Sequence, residues 1–331
     1  MSYLTASKNG TLLAEQSQQA YINQSMRAYN QAKKEINDLI KAQYAKLAGV
    51  AKQDYHKEML KLNRLSKLET EITKAYNNAA RSAGKSTIKG LESVMVENYN
   101  RQQYLVSWLA PEMRPIPINP ELVKYSITGN VKTWQKIQTK AFANKWGNPN
   151  LYSPQTGTLS ALLNKNRVQE LDRILSTVQN GFITGKSYAQ QARGIRNIIG
   201  QYQRSGGIEQ ATGAMYKSLR IARTEGNRVL NAGALANAQQ AGSQGLDIQK
   251  EFLATLDSLT RDTHSNADGQ RVKLDKDFIL DDGDRGQAPG QFGEAANNIN
   301  CRCTTLTVVN NQSPQLRRAR NPVTGKNEVI S

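Results

Sequence analysis

The residues with the most chemical capacity lie in one stretch, 249–309. It holds the chain's only two cysteines, Cys301 and Cys303, and His264, one of its two histidines. Thiolate, imidazole and carboxylate are the ligands that a tetrahedral zinc ion takes, and Asp262, Asp268 or Asp257 could supply a fourth. Only three soft ligands are on offer, and cysteines one residue apart restrict the geometry. A hydrogen-bonded histidine beside two half-buried thiols is the plainer reading and ranks ahead of the metal, because short motifs often match by chance. The acidic run Asp275, Asp277, Asp281, Asp282 and Asp284 lacks the spacing and closing glutamate of a calcium loop, so it reads as solvated. Signatures of catalysis are missing. There is no Gly-x-Ser-x-Gly elbow, no His-Glu-x-x-His, and no cysteine with a base other than His264. No residue is assigned a catalytic or cofactor-binding role.

These side chains need elements to hold them. Ile248 to Leu256 is an alternating run, Gly269 to Leu274 is a second short run, and Thr304 to Val309 is strand-like. Alternation with Thr and Val predicts half-buried antiparallel strands. The loop with Asp281 to Asp284 and Pro289 to Gly293 between them is too polar for a core. Upstream, the periods are helical. Ile22, Met26, Tyr29, Ile36, Ile40, Tyr44 and Leu47 recur at three- and four-residue steps, and so do Tyr55, Met59, Leu62, Leu65, Leu68, Ile72 and Tyr76. Each set occupies one face of a long amphipathic helix, with lysines mostly on the other faces, and a weak break falls near Gly49. Core tyrosines beside solvated lysines outrank a base-stacking face. His56, among polar neighbours, reads as a surface residue.

Residues 79–86 and 181–187 imitate a phosphate-binding loop, but both lie between helical patterns and neither follows a strand. Gly84 reads as a helix stop, Ser86 as the cap of a third helix from about Ile88 to Leu109, and Ser187 as a further N-cap. Pro111, Pro115, Pro117 and Pro120 mark a hinge. Turns are expected at 129–130 and 147–150, with Trp134 and Trp146 as local anchors. Leu159 to Val178 forms another helical face, and the last long helix runs from about Glu209 to Gln240. Its alanines predict close packing, and Arg220, Arg223, Glu225 and Arg228 predict ion pairs along its surface.

The net charge is +17 over 331 residues. That favours a polyanionic partner such as double-stranded DNA, because basic groups gain by releasing phosphate counterions. A merely lysine-rich soluble surface is the bland competitor. Arg317, Arg318, Arg320 and Lys326 in the final segment are the candidate DNA contacts. No apolar run approaches the ~20 residues of a membrane span. Neither a signal peptide nor a disulfide framework is evident, which points to synthesis in a reducing cytoplasm.

One ordered set of residues carries a resemblance. Arg223 and Glu225, then Asp257, Thr260, Arg261, His264, Asp268 and Gly269, then Asn300, Cys301, Arg302 and Cys303 resemble the head-morphogenesis minor capsid proteins of tailed phages, the phage Mu protein F-like family. The similar segment runs from about Phe182 to Val309. Leu259 stands where that family usually has Arg, and Phe252 where it usually has Trp. Some relatives carry further Cys or His here, which implies a structural metal site. The resemblance also implies a low-copy structural protein of the virion, not an enzyme. It would be assembled in the bacterial cytoplasm, sit inside the capsid near the portal, contact portal, with major capsid or scaffold protein as further candidate partners, and act in genome packaging or release. The competing classes are an enzyme, either ADP-ribosyltransferase-like or a metal-dependent hydrolase, and an internal DNA-binding protein ejected with the genome. The fold expected is α+β and mostly helical, with long N-terminal amphipathic helices and a C-terminal domain holding a small antiparallel sheet. Its divisions are an N-terminal helical arm (1–110), a hinge (111–120), a helical middle (121–206), an α+β domain (207–310) and a basic flexible tail (311–331).

Overall fold

The computed structural model describes residues 3–129, 158–205, 208–312, 317–320 and 327–330. Trp134, Trp146, Lys326 and the turn at 147–150 lie outside these, as do the side chains of Arg317, Arg318 and Arg320. The fold is α+β as expected, helical first and strand-bearing last. Contacts group the chain into two compact units, each discontinuous in sequence. One takes residues 21–87 and 160–219, the other 1–20, 88–159 and 220–331. The sequence suggested consecutive domains instead. The difference has a simple cause: a helix of over forty residues is longer than one small core, so one helix can serve two.

In the first unit, α1 (Tyr3–Lys46) and α3 (Arg64–Leu109) flank a short helix, α2 (Tyr55–Leu60). The apolar stripes are buried as the periodicity requires: Ile22, Met26, Tyr29, Ile36 and Ile40 on α1, Leu68, Ile72 and Tyr76 on α3. Ser25 Oγ donates to Ala83 O at 3.2 Å, and the Tyr29 and Tyr76 rings stand 6.2 Å apart, so the two stretches run antiparallel. Leu62 leaves the expected stripe. It adopts φ 53°, and its side chain is 76% exposed. His56 is half-buried rather than on the surface.

Gly84 does not stop a helix and Ser86 does not cap one. α3 runs through both, and Ser86 Oγ bonds Ser82 O one turn back at 3.0 Å. A mid-helix Gly costs roughly 1 kcal/mol against Ala. Here it faces the Leu163 side chain, which a Cβ would meet at 3.5 Å. The Gly is therefore packed rather than turned. Two further helices complete the unit. We number the short helix of the other unit α4 (Pro120–Thr128), and these two α5 (Leu159–Ile183) and α6 (Tyr188–Ile199). Leu163 belongs to α5. Ser187 caps α6 in a reciprocal capping box with Gln190, as expected. Tyr44 stacks on Phe182 at 5.3 Å and accepts a hydrogen bond from Gln191 Nε2 at 2.8 Å. Burial pushes its phenol up to about 12. The tyrosines thus serve the core, while Lys34, Lys41, Lys57, Lys61 and Lys67 are exposed.

Strands β1 (Tyr202–Ser205) and β2 (Ile208–Ala211) pair antiparallel, so the last long helix, α7 (Gly213–Gly242), starts later than the periodicity suggested. In the second unit, its Ala-rich stretch is buried, and Gly233 lies so close to α3 that a Cβ would stand 2.6 Å from Met95 O. The sheet has the order β4–β3–β7, all antiparallel, with β3 (Ile248–Leu253) central between β4 (Arg271–Lys273) and β7 (Thr304–Val309). Every residue of β7 is buried, where half-burial was expected. Val106, Ala110, Met113, Ala238, Ala241, Ile248 and Val309 form one cluster beside the sheet. β5 (Phe278–Ile279) and β6 (Arg285–Gly286) make a small ribbon in the acidic loop. The short helices α8 (Asp262–Asn266) and α9 (Ala295–Asn298) flank it in sequence. The segment expected as a flexible tail contains an antiparallel hairpin, β8 (Arg317–Arg320) with β9 (Asn327–Ile330).

Lys250 is the exception within the central strand. It is fully buried, and its ammonium donates to Gln287 O at 2.8 Å and Gln287 Oε1 at 2.7 Å while lying 5.2 Å from the Phe278 ring centre. Burial pulls it down to about 8, against the opposing charges of Asp277 and Asp275. Above that value the native state has released the proton while the unfolded chain keeps it up to about 10.5, so stability should rise with pH between the two. The pH slope of the urea midpoint across that window should be more positive for the parent chain than for Lys250→Met. An equal slope in both would show that Lys250 is not the group responsible.

Candidate metal centre

The three candidate ligands converge. His264 sits on α8, which follows the turn after β3. Cys301 and Cys303 lie just ahead of β7, whose Thr304 pairs with Leu253 at the end of β3. Residues two apart on an extended segment face the same way, so the Cys-x-Cys spacing aims both thiols at one side and Arg302 at the other. His264 Nδ1 stands 3.4 Å from Cys303 Sγ and 3.7 Å from Cys301 Sγ. All three residues are buried, and their ligand atoms lie within 4.8 Å of one another. Hydrogen bonding between the thiols splits their acidities. It holds Cys303 below the ordinary thiol range and, together with burial, pushes Cys301 above it. Around them pack Phe252, Ala254, Ala267, Phe278, Leu280 and Phe292. Phe252, in the place where a Trp was expected, meets the His264 ring edge-to-face at 5.9 Å.

The carboxylates expected as a fourth ligand are engaged elsewhere. Asp257 makes a forked pair with Arg302, with one contact at 2.6 Å, and also accepts from Leu259 N at 2.9 Å. Donation from Arg302 holds its carboxyl below the usual carboxylate range. Asp268 Oδ1 accepts from Ala254 N at 2.9 Å, and Asp262 is exposed. Among the described residues the ligand set therefore stops at His264, Cys301 and Cys303.

The remaining residues of the ordered set hold backbone. Arg261 Nη2 donates to Ile299 O at 2.6 Å. Thr260 Oγ1 bonds Thr255 O and Asp257 Oδ1. Gly269 takes φ 78° and Asn300 φ 56°, left-handed values that suit these two residue types. Glu225 and Arg228 pair at 2.7 Å, not along the surface as expected but buried, with Arg228 Nη2 also reaching Ser126 O at 2.6 Å. Arg223 lies one turn away on the same helix, half-buried. The acidic loop is a self-capping turn. Asp284 accepts from the backbone of Arg285, Gly293 and Glu294 and from Asn297. Burial alone would raise Asp284, but those donors outweigh it and hold the group low.

Sequence reading missed Asn231, Thr224, Thr255 and Asn298. Asn231 is fully buried on α7. Its Nδ2 donates to Cys303 O at 3.1 Å, and its Oδ1 accepts from Thr305 N at 2.8 Å. The available signal was an Asn set into an otherwise Ala-rich helix face, three residues after Arg228. Thr224 Oγ1 accepts from Asn300 N at 3.1 Å, and Thr255 Oγ1 donates to Arg302 O at 3.0 Å. Asn298 bonds Phe292 in both directions.

Truncating Arg302→Ala leaves the largely buried Asp257 carboxylate without its forked donor. We expect a loss of about 2 kcal/mol in urea unfolding, the usual weight of a hydrogen bond to a charged group. Arg302→Lys should recover only part, since an ammonium cannot fork. Three indistinguishable unfolding curves would show the pair to be ornamental.

Residues 172–306 match the family described as Phage Mu protein F like protein. One relative is the NAD(+)--arginine ADP-ribosyltransferase EFV of Enterococcus faecalis (strain ATCC 700802 / V583), 37% identical over 161 residues, which are 48% of this chain and 30% of that protein. Another is the Minor head protein GP7 of Bacillus phage SPP1, 32% identical over 163 residues, 49% of each chain. The chain thus spans about half the length of the second relative and less than a third of the first. No solved structure matches it. No helix among the described residues is long and apolar enough to cross a membrane. The matched segment, less than half of the chain, contains His264, Cys301, Cys303 and the side chains that hold them, and over that segment the chain is similar to the phage Mu protein F-like family.

Proposed function

We propose that the chain is a structural minor head protein of a tailed phage, built into the virion inside the capsid beside the portal and acting in head assembly and genome packaging or release. The observation that carries this reading is the inward use of the family's residues. Asp257, Thr260, Arg261, Asp268 and Arg302 spend polar groups on the chain's own backbone or on one another. Residues that serve substrate are held free for it, whereas these hold a fold together.

The relative named as an ADP-ribosyltransferase is the observation favouring a second reading. Its name describes a protein of which this chain covers 30%. Transfer from a dinucleotide needs a carboxylate poised over the ribose. Glu225 is buried and tied to Arg228, which does not suit that task. Incubation with labelled NAD and arginine-containing acceptor protein should leave the acceptor unlabelled. Label on arginine that vanishes in a Glu225→Gln variant would replace the structural reading.

The direct test is association. Co-expressed with its cognate portal protein, the chain should elute with portal in size-exclusion chromatography and appear by mass spectrometry in purified virions. Virions without it would end the proposal. The net charge of +17 supports sequence-independent contact with double-stranded DNA, carried by phosphates. Neutralising about five phosphates would give a log–log salt slope near −4.5. Removing residues 314–331 should lower that slope. A chain that binds portal but fails to shift DNA at low salt would assign the charge to protein contacts instead.

A further inference from the structure

We infer that His264, Cys301 and Cys303 hold a zinc ion that is part of the fold. The distances are the first argument. Tetrahedral zinc with Zn–S near 2.3 Å and Zn–N near 2.0 Å sets neighbouring sulfur and nitrogen ligands roughly 3.6 Å apart. The His264 Nδ1 separations of 3.4 and 3.7 Å from the two sulfurs bracket that value. A hydrogen bond would need only one sulfur near the ring nitrogen. Here the same nitrogen faces both.

Charge is the second argument. The cluster is walled by Phe252, Phe278, Phe292 and Leu280, and the three ligand residues are 1–3% exposed. Two thiolates and Zn²⁺ sum to zero, so the loaded site is neutral and suits an apolar wall, while a lone thiolate there would not. Without a metal, His264 is a polar ring set among phenyl rings with only sulfurs beside Nδ1 and no hydrogen-bond partner for Nε2.

The third argument is preparation. The ligand segment is fixed before any ion arrives. Ile299 O, Asn300 N, Arg302 O, Cys303 O and Thr305 N are each met by a side chain from elsewhere in the unit. The spacing puts both thiols on one face, and α8 brings the ring over them. Such a site stabilises a small sheet directly, because metal affinity becomes folding free energy. With three ligands from the described residues, the fourth position is filled by something other than the Asp257, Asp262 or Asp268 carboxylates.

The test uses the full chain purified without chelator. We expect about one zinc per chain by elemental mass spectrometry, released in step with two thiols on mercurial titration. Cobalt in its place should give the strong thiolate charge-transfer band and the visible bands of a tetrahedral site. His264→Cys should keep the metal as a three-thiolate site. His264→Phe, which fits the aromatic wall, and Cys303→Ser should lose it and melt at lower temperature. Those variants could fail to fold, so the parent chain is also melted with and without a strong zinc chelator, and chelation should lower its Tm. Three results would overturn the inference: a metal-free parent whose Tm ignores both chelator and added zinc, a Cys301–Cys303 disulfide found by mass, or stoichiometric binding of copper or iron in place of zinc.

Discussion

The constraint behind this region is that, among the described residues, no strand pairs with the backbone from Ile299 to Cys303. Buried peptide groups without partners cost about as much as a lost hydrogen bond each. The chain meets the demand with side chains drawn from three places: Thr224 and Asn231 on α7, Thr255 in the turn after β3, and Arg261 before α8. Each of these ties a different element to the same five-residue segment. Once they are tied, the direction of the two thiols and the entry of β7 into the sheet follow. The Asp257–Arg302 pair closes the outer face of the same segment, so the inner face is left to sulfur.

Holding those elements together requires α7 to approach its neighbours closely, and its small residues make that approach feasible. A Gly at position 233 lets the Met95 carbonyl come where a Cβ would collide, and Asn98 Nδ2 then reaches Leu230 O at 2.6 Å. Burial of the helix in turn allows polar side chains such as Asn231 to serve the sheet rather than water. The fully buried β7 is the same fact seen from the strand. It reads Thr-Thr-Leu-Thr-Val-Val, and its threonines are covered along with its leucine and valines.

Much of this was legible in the sequence, and the misses share a cause. The antiparallel strands, the α6 cap and the apolar stripes of α1 and α3 are local patterns, and local patterns survive folding. Gly84 was misread because its breaker tendency is worth only about 1 kcal/mol, which packing against one leucine can offset. Leu62 was misread because periodicity cannot see a left-handed residue that throws the side chain outward. Glu225 and Arg228 were expected on a surface because charged residues usually are, and nothing in their neighbourhood announces a buried partner. Asn231 acts across 72 residues on Cys303 and across 74 on Thr305, a separation that no window along the chain can register.

The two departures from the family pattern separate what the fold requires from what it leaves free. Phe252 replaces one large aromatic by another at a fully buried position, against His264, Phe278 and Phe292. That site asks for volume and a ring, and Phe supplies both. Leu259 is 66% exposed, and the nearby Asp257 carboxylate is already filled by Arg302, by Leu259 N and by Thr260. Losing a charge at 259 therefore costs the interior nothing. A position of that kind answers to whatever lies against the surface, whereas Phe252 answers to the cluster around the thiols. The same division applies to the exposed lysines of α1 and α3. They are not needed to fold these helices, whose stability comes from the buried stripe, so the excess positive charge they carry is available to act on a partner outside the chain.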